Sequence, residues 1–435
     1  MGSKSGDPEY PYYPGLIAQG RDGSIYSTTT QGGTHGQGTV FKISPSGALT
    51  VLYNFDGTHG ATPYGGLTLG TDGNFYGTAY AGGLNNVGTI FKITPTGTLT
   101  VLYNFKNGTD GAGPWAAPIQ GSDGNFYGTT VFAGAYGLGA LYKLTPSGVL
   151  TTLHSFNGSQ GAYPYGPLMQ ASNGSFYGQA SSGGNTSNAV GVVYEITPSG
   201  SYTVLYNFDG PHGASPYSPL IQGSDGNLYG TTQQGGSDLN GVIFKITTAG
   251  ALTVLHSFGS VTNDGLQPYG GLVLGNDGNF YGTTSEGGPV NDYGVAFKIT
   301  PAGAYTILDD FQSSGVDGIQ PNATILEHTN GILYGDAYQG GTGSYGTVFS
   351  LKEGLPAYAK LVATSGKVGS TVELLGQGFS SSTAVTIGGK AAKISSESGT
   401  YLTAVVPAGA VSGQPITLKT GTTTLTTNQP FTILP

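Results

Sequence analysis

An Asp-Gly or Asn-Gly dipeptide returns along this chain at a nearly constant period, and that recurrence restricts the fold more than any other feature. It occurs at Asp22-Gly23, Asp72-Gly73, Asp123-Gly124, Asn173-Gly174, Asp225-Gly226, Asp277-Gly278 and Asn330-Gly331, with successive intervals of 50, 51, 50, 52, 52 and 53 residues. Each dipeptide reads as a two-residue hairpin turn, because Asp or Asn followed by Gly tolerates the positive φ that such turns require. The fifth unit shows what surrounds the turn. Pro219-Leu220-Ile221-Gln222 is a short apolar strand A, and Asn227-Leu228-Tyr229-Gly230-Thr231-Thr232 is strand B. After a loop containing Gly235-Gly236, Gly241-Val242-Ile243-Phe244-Lys245-Ile246 alternates as strand C. Gly250 closes a second turn, and Leu252-Thr253-Val254-Leu255-His256-Ser257-Phe258 is strand D.

Four short antiparallel strands at this spacing are one blade of a β-propeller. Such units cannot bury their faces alone, so neighbouring sheets must pack on each other. Seven units account for the chain from about Tyr10 to about Lys360. Helical repeats are excluded, since no segment shows 3.6-residue periodicity and Gly interrupts every stretch. The seventh unit departs from the rest: its strand C ends in Leu351-Lys352-Glu353-Gly354 with no clear strand D after it. Either Pro356–Lys360 forms a short strand D or residues near Glu9–Tyr13 close the ring, because an open last blade leaves an unpaired edge.

Beyond Leu361 the pattern changes to glycine-punctuated strands, including Ser365–Phe379, Val385-Thr386-Ile387-Gly388-Gly389 and Val405-Val406-Pro407. About 75 residues of this kind suit a small sandwich. These segments resemble the IPT/TIG family of immunoglobulin-like domains, whose members serve as spacers or interaction modules. The repeat itself, as in Gly121-Ser122-Asp123-Gly124-Asn125-Phe126-Tyr127-Gly128-Thr129-Thr130 and Gly88-Thr89-Ile90-Phe91-Lys92-Ile93-Thr94-Pro95, resembles the "GloVer" tandem repeat over about four-fifths of the chain. That resemblance implies export and a surface role, and it implies no reaction. The expected fold class is therefore all-β: a seven-bladed β-propeller followed by an immunoglobulin-like (IPT/TIG) β-sandwich. The expected division is residues 1–9 as an N-terminal extension, 10–358 as propeller and 359–435 as tail domain.

Composition narrows the partners. The net charge is −9, only 9% of residues are charged, and Arg21 is the sole arginine. Nucleic-acid recognition needs clustered cations, and none are present. With no Cys, disulfides and thiolate metal sites are excluded. No run is long and apolar enough for a membrane helix. The start, Met1-Gly2-Ser3-Lys4-Ser5-Gly6, lacks the apolar centre of a signal peptide and reads as an artificial leader, so a native signal is expected to have been removed. A monomer without cofactor or metal is expected, outside the cell, partnered by a glycan or another cell-surface ligand.

The variable loops lie on the face opposite the uniform turns, and function is expected there. Just before strand A stand Tyr13, Tyr64, Trp115, Tyr165, Tyr217 and Tyr269, with Asn322 in unit seven. Strand A is expected innermost, so these residues should ring the channel mouth. They could stack on sugar rings, or each could wedge between adjacent blades. Trp115, the only tryptophan, breaks the repeat. A few residues earlier His59 and His212 replace acidic or amide residues, and could act as ligand or acid–base groups. They belong to units two and five, too far apart to share a metal. Three carboxylates also depart from the repeat: Glu286 before a Gly pair, Asp336 in place of Thr, and Glu327 among channel glutamines. A pair of them could serve glycoside hydrolysis, which needs two carboxylates at short range. The leading reading is a binding propeller for neutral glycan or another extracellular ligand. The alternatives are a glycoside hydrolase and an adhesion protein without a small-ligand site.

Overall fold

The computed structural model describes residues 1–2, 7–11, 16–290, 292–312, 318–341 and 343–434. It is all β. Six four-stranded sheets and one three-stranded sheet form seven blades around an axis, and the tail folds as a separate sandwich. In blade 3, strand A is Ile119–Gln120, B is Phe126–Thr130, C is Ala140–Leu144 and D is Leu150–Ser155, paired antiparallel in that order. Strand A is innermost and strand B is buried along its whole length. Strand D is outermost and twists away over a bulge at Leu141/Tyr142.

The repeated turn does more than reverse the chain. Asp123 accepts the backbone N–H of Asn125 at 3.1 Å and the Tyr127 hydroxyl at 2.8 Å, while Gly124 takes φ +79°. Asp72, Asp225 and Asp277 hold Tyr76, Tyr229 and Tyr281 in the same way. Each of these tyrosines then reaches the next blade. Tyr26 stacks on Phe75 at 4.0 Å, Tyr76 on Phe126 at 3.9 Å, and Tyr127 on Phe176 at 4.0 Å. Where strand B carries Phe next to that tyrosine, as at Phe75, Phe126 and Phe176, the Phe points to the opposite face, as strand alternation requires, and receives the tyrosine of the preceding blade. One short motif therefore sets the turn, the strand and the blade-to-blade contact.

Ring closure falls to residues that the sequence reading divides between extension and propeller. Among the described residues blade 7 has only Leu326–Glu327, Leu333–Ala337 and Thr347–Leu351; Pro356–Lys360 does not add a fourth strand. Instead Pro8–Glu9 pairs with Gln31–Gly32, and the Tyr10 N–H donates to Tyr345 O at 2.8 Å. Residues 7–9 thus belong to the ring. The outer edge of blade 7 has no partner strand among the described residues. Phe349 is only half-buried there, whereas its counterparts Phe41, Phe91, Tyr142, Tyr194, Phe244 and Phe297 are fully buried.

The tail begins with Lys360–Leu361 and contains a seven-stranded arrangement plus a parallel pair, Ser365–Lys367 with Thr432–Leu434. Val372, Leu374, Leu402, Ile416 and Phe431 are among its core residues. It docks beneath the A–B turns. Arg21 pairs with Glu373 at 2.6 Å, donates to Thr71 O at 2.9 Å and lies over the Tyr401 ring. Gln377 donates to Thr329 Oγ1 at 2.9 Å, and the Thr400 hydroxyl donates to Arg21 O at 2.7 Å. The single arginine is therefore a hinge-pin of the domain interface.

The open edge makes a prediction. Outward amides within residues 347–351 should exchange with solvent much faster than those of 140–144. Replacing residues 1–6 by a strand of the Leu-Thr-Val-Leu-Tyr-Asn-Phe type, with a short linker, should raise Tm by several degrees. A grafted chain with the same Tm and unprotected 347–351 amides would show that this edge does not accept a strand.

Candidate functional site

A repeated connection builds the mouth opposite the tail. Thr62, Tyr163, Ser215, Gln267 and Gln320 take φ values of +51° to +57° just before a proline. Their N–H groups donate to the preceding blade's B–C loop, as Thr62 does to Gln37 O and Ser215 to Val190 O, both at 2.8 Å. With the backbone so held, the residue after each proline is delivered to the axis. The neck is tight: a Cβ on Gly66 (φ +65°) would lie 2.2 Å from the Leu16 carbonyl oxygen, so this approach of blades 1 and 2 requires glycine.

The aromatics form one continuous arc. Tyr64 and Trp115 stack at 4.0 Å with planes 5° apart, and Trp115 meets Tyr165 edge-to-face at 5.0 Å. Tyr165 lies 4.9 Å from Tyr217, and Tyr217 6.1 Å from Tyr269. All five are half-buried. Packing between neighbours and presentation at the mouth thus coexist. Tyr13 lies outside the described residues. Asn322 is buried at the corresponding place in blade 7, and its Oδ1 has no partner among the described residues. Tyr80, which the sequence reading overlooks, packs edge-on against Tyr64 and Trp115 at 5.4 and 5.3 Å. Its signal was available: the position after strand B reads Thr30, Tyr80, Val131, Ser181, Gln233, Ser285 and Tyr338, the variability expected of a lining position.

At the blade 5/6 end the arc becomes polar. Gln233 Nε2 donates to the Tyr269 hydroxyl and to Gln267 Oε1, and Gln267 Nε2 donates to Glu286 Oε2 at 2.8 Å. Burial, and then the charge of Asp292, hold the Glu286 carboxyl above its usual range. Burial beside other phenols pushes Tyr165 up to about 12. Its hydroxyl therefore stays protonated and available as a donor. His59 and His212 do not join the arc. They are exposed and bond Asp56 and Asp209 at 2.9 and 2.7 Å, closing their own loops.

The three carboxylates are not gathered into one site. Glu286 sits in the mouth-side loop, whereas Glu327 ends strand A near the tail. Glu327 fills a structural place: Gln120, Gln170 and Gln222 each accept a turn N–H from the preceding blade at 2.8–2.9 Å, and Glu327 accepts that of Asn276 at 3.0 Å. Burial pushes it up to about 7, against the pull of the Asn276 N–H and Lys360. Asp336 is buried within strand B of blade 7 and is also pushed up to about 7 by desolvation. Its counterparts Thr28, Thr78, Thr231 and Thr283 donate hydroxyl protons to carbonyls of the next connection. Only a protonated Asp could donate in that way. Among the described residues no group of three or more His, Asp or Glu is placed to hold a metal.

The repeat is also recognisable by comparison. The Gloeobacter/Verrucomicrobia repeat profile matches residues 11–223 and 215–377. The chain belongs to that repeat family. An IPT/TIG domain matches residues 360–433. No curated protein matches the chain. Among solved structures, a candidate 6-phosphogluconolactonase from Bacteroides uniformis superposes with a TM-score of 0.50 at 16% identity, covering 76% of this chain and 96% of its own. A puromycin hydrolase gives 0.50 at 12% identity, covering 87% and 62%. A gluconolactonase from Xanthomonas campestris gives 0.43 at 13%, covering 81% and 99%. The two likenesses at 0.50 speak to the propeller fold alone, which hosts many unrelated functions.

Asp336 and Glu327 give this member of the Gloeobacter/Verrucomicrobia repeat family a testable pH dependence. Both acids bind protons more readily folded than unfolded, so they contribute stability below about pH 4 that is lost as the pH rises toward 7. Asp336→Thr should raise stability at pH 8 by about 1–3 kcal/mol and change it little at pH 4. Thermal unfolding across that range checks this; an equal effect at both pH values would contradict the assignment.

Proposed function

We propose that this chain is a binding propeller displayed outside the cell, holding a neutral glycan across its aromatic mouth. One observation carries the reading: five half-buried aromatics run unbroken from Tyr64 to Tyr269 and continue into the Gln233–Gln267–Glu286 chain. Apolar ring faces suit the C–H faces of sugars, and convergent amides and a carboxylate suit their hydroxyls. The scarcity of cations supports an uncharged polymer over a densely anionic one. The mouth lies on the face away from the tail, so the tail could serve as spacer without obstructing it. Hydrolysis by the outlying carboxylates is less well supported, because Glu286 and Glu327 stand at opposite ends of the channel.

Affinity gels and a glycan array test the proposal. Trp115→Ala, confirmed folded by circular dichroism, should weaken binding about tenfold, and Tyr269→Phe less. Failure of the wild-type protein to bind any member of a broad neutral polysaccharide panel would sink the reading, as would a Trp115→Ala protein that binds like wild type. Reducing-sugar release that disappears in Glu286→Gln would replace it with the hydrolase reading.

A further inference from the structure

Behind the neck, the inner strands and the tail bound a half-open chamber of about 540 Å³. Its walls are largely aliphatic, with Ile119, Leu168, Met169, Leu220, Leu272 and Ile325 among them. The volume lies within the range of ordinary small-molecule sites. Among the described residues Lys360 is the one cationic member of its lining.

Strand geometry explains why that lysine points inward. Lys360–Leu361 pairs with Leu374–Leu375 as the first strand of the tail. Ala359 and Leu361 enter the tail core. Alternation then sends Lys360 to the opposite side, into the propeller channel. It also lines a smaller adjoining cavity of about 120 Å³ together with Glu327 and Tyr358. Glu327 acts on Lys360 with opposite charge, but the two form no ion pair within 4 Å. The Glu327 carboxylate is instead engaged by the Asn276 N–H at 3.0 and 3.2 Å. No protein acceptor bonds the Lys360 ammonium among the described residues. A half-buried ammonium facing an apolar chamber, offset only in part by Glu327, is stabilised by a further anion.

We propose that this chamber is a second ligand site, separate from the aromatic mouth, and that it takes a small amphiphilic monocarboxylate. The acyl or aryl body lies against the aliphatic wall and the carboxylate accepts hydrogen bonds from Lys360 Nζ. A polyanion is disfavoured by the single cation, and a neutral alcohol adds no charge to the little that Glu327 supplies to the ammonium. The tail supplies both the charged group and the floor, so the site exists only where propeller and tail meet.

Calorimetric titration of the full chain with decanoate, below its micellar concentration, tests this, with decanol as the uncharged control. Decanoate should bind saturably at one per chain, at least tenfold tighter than decanol. Lys360→Met should cost about tenfold to a hundredfold, and Lys360→Arg should retain most of the affinity. Trp115→Ala should leave decanoate binding unchanged, which separates this site from the mouth. Equal affinity of wild type and Lys360→Met, equal affinity for decanol, or no saturable binding would each overturn the proposal. If Lys360→Met does not fold, the decanol comparison and Lys360→Arg still decide it.

Discussion

The structure rests on a tyrosine that does two things at once. In the Asp-Gly-x-Phe-Tyr segment, the tyrosine hydroxyl anchors its own turn aspartate while its ring stacks on the phenylalanine of the next blade, as Tyr127 does with Asp123 and Phe176. Such a stack contributes about 0.5–1.5 kcal/mol beyond the area it buries. The hydrogen bond keeps the phenol satisfied where burial would otherwise penalise it. Local and non-local structure are thereby stabilised by the same side chain, and repetition closes a ring. Where the phenylalanine is replaced, as at Leu228, Leu333 and Ile25, aliphatic packing takes over the junction.

Closure of the ring creates two unlike ends. On one, proline-led connections with a left-handed residue before the proline carry aromatics to the axis. On the other, uniform turns offer backbone and the lone arginine to the tail. The tail converts an open channel into a chamber and brings Lys360 into it. Blade 7 is where the regularity breaks: it has no strand D among the described residues, keeps the mouth-side bridge through residues 7–11, and carries two buried carboxyls in places where most other blades have Gln and Thr.

Much of this was legible from residues alone. The Asp-Gly period announced the blades, and the position of Tyr64 through Tyr269 before strand A announced an aromatic mouth, because strand order puts those residues nearest the axis. The variability of the position after strand B marks Tyr80 as a lining residue, but not its contact with Trp115, which lies a whole strand away in sequence and is met only across a blade junction. His59 and His212 looked chemically distinctive, yet each is absorbed by an aspartate three residues before it. Glu327 looked like a departure with catalytic promise; the ladder of channel glutamines shows it performing their acceptor role with one atom changed.

What the sequence by itself determined is the architecture: repeat period, turn chemistry and alternating apolar strands are local properties, and seven consistent copies leave little freedom. Tertiary structure alone decided what the variable residues do. Whether a carboxylate is a catalyst, a bridge or a buried acid depends on desolvation and on partners from other blades. Likewise, a lysine at the start of the tail becomes a candidate binding group only because the tail docks under the channel. Those environments arise from contacts between distant segments, which no local pattern encodes.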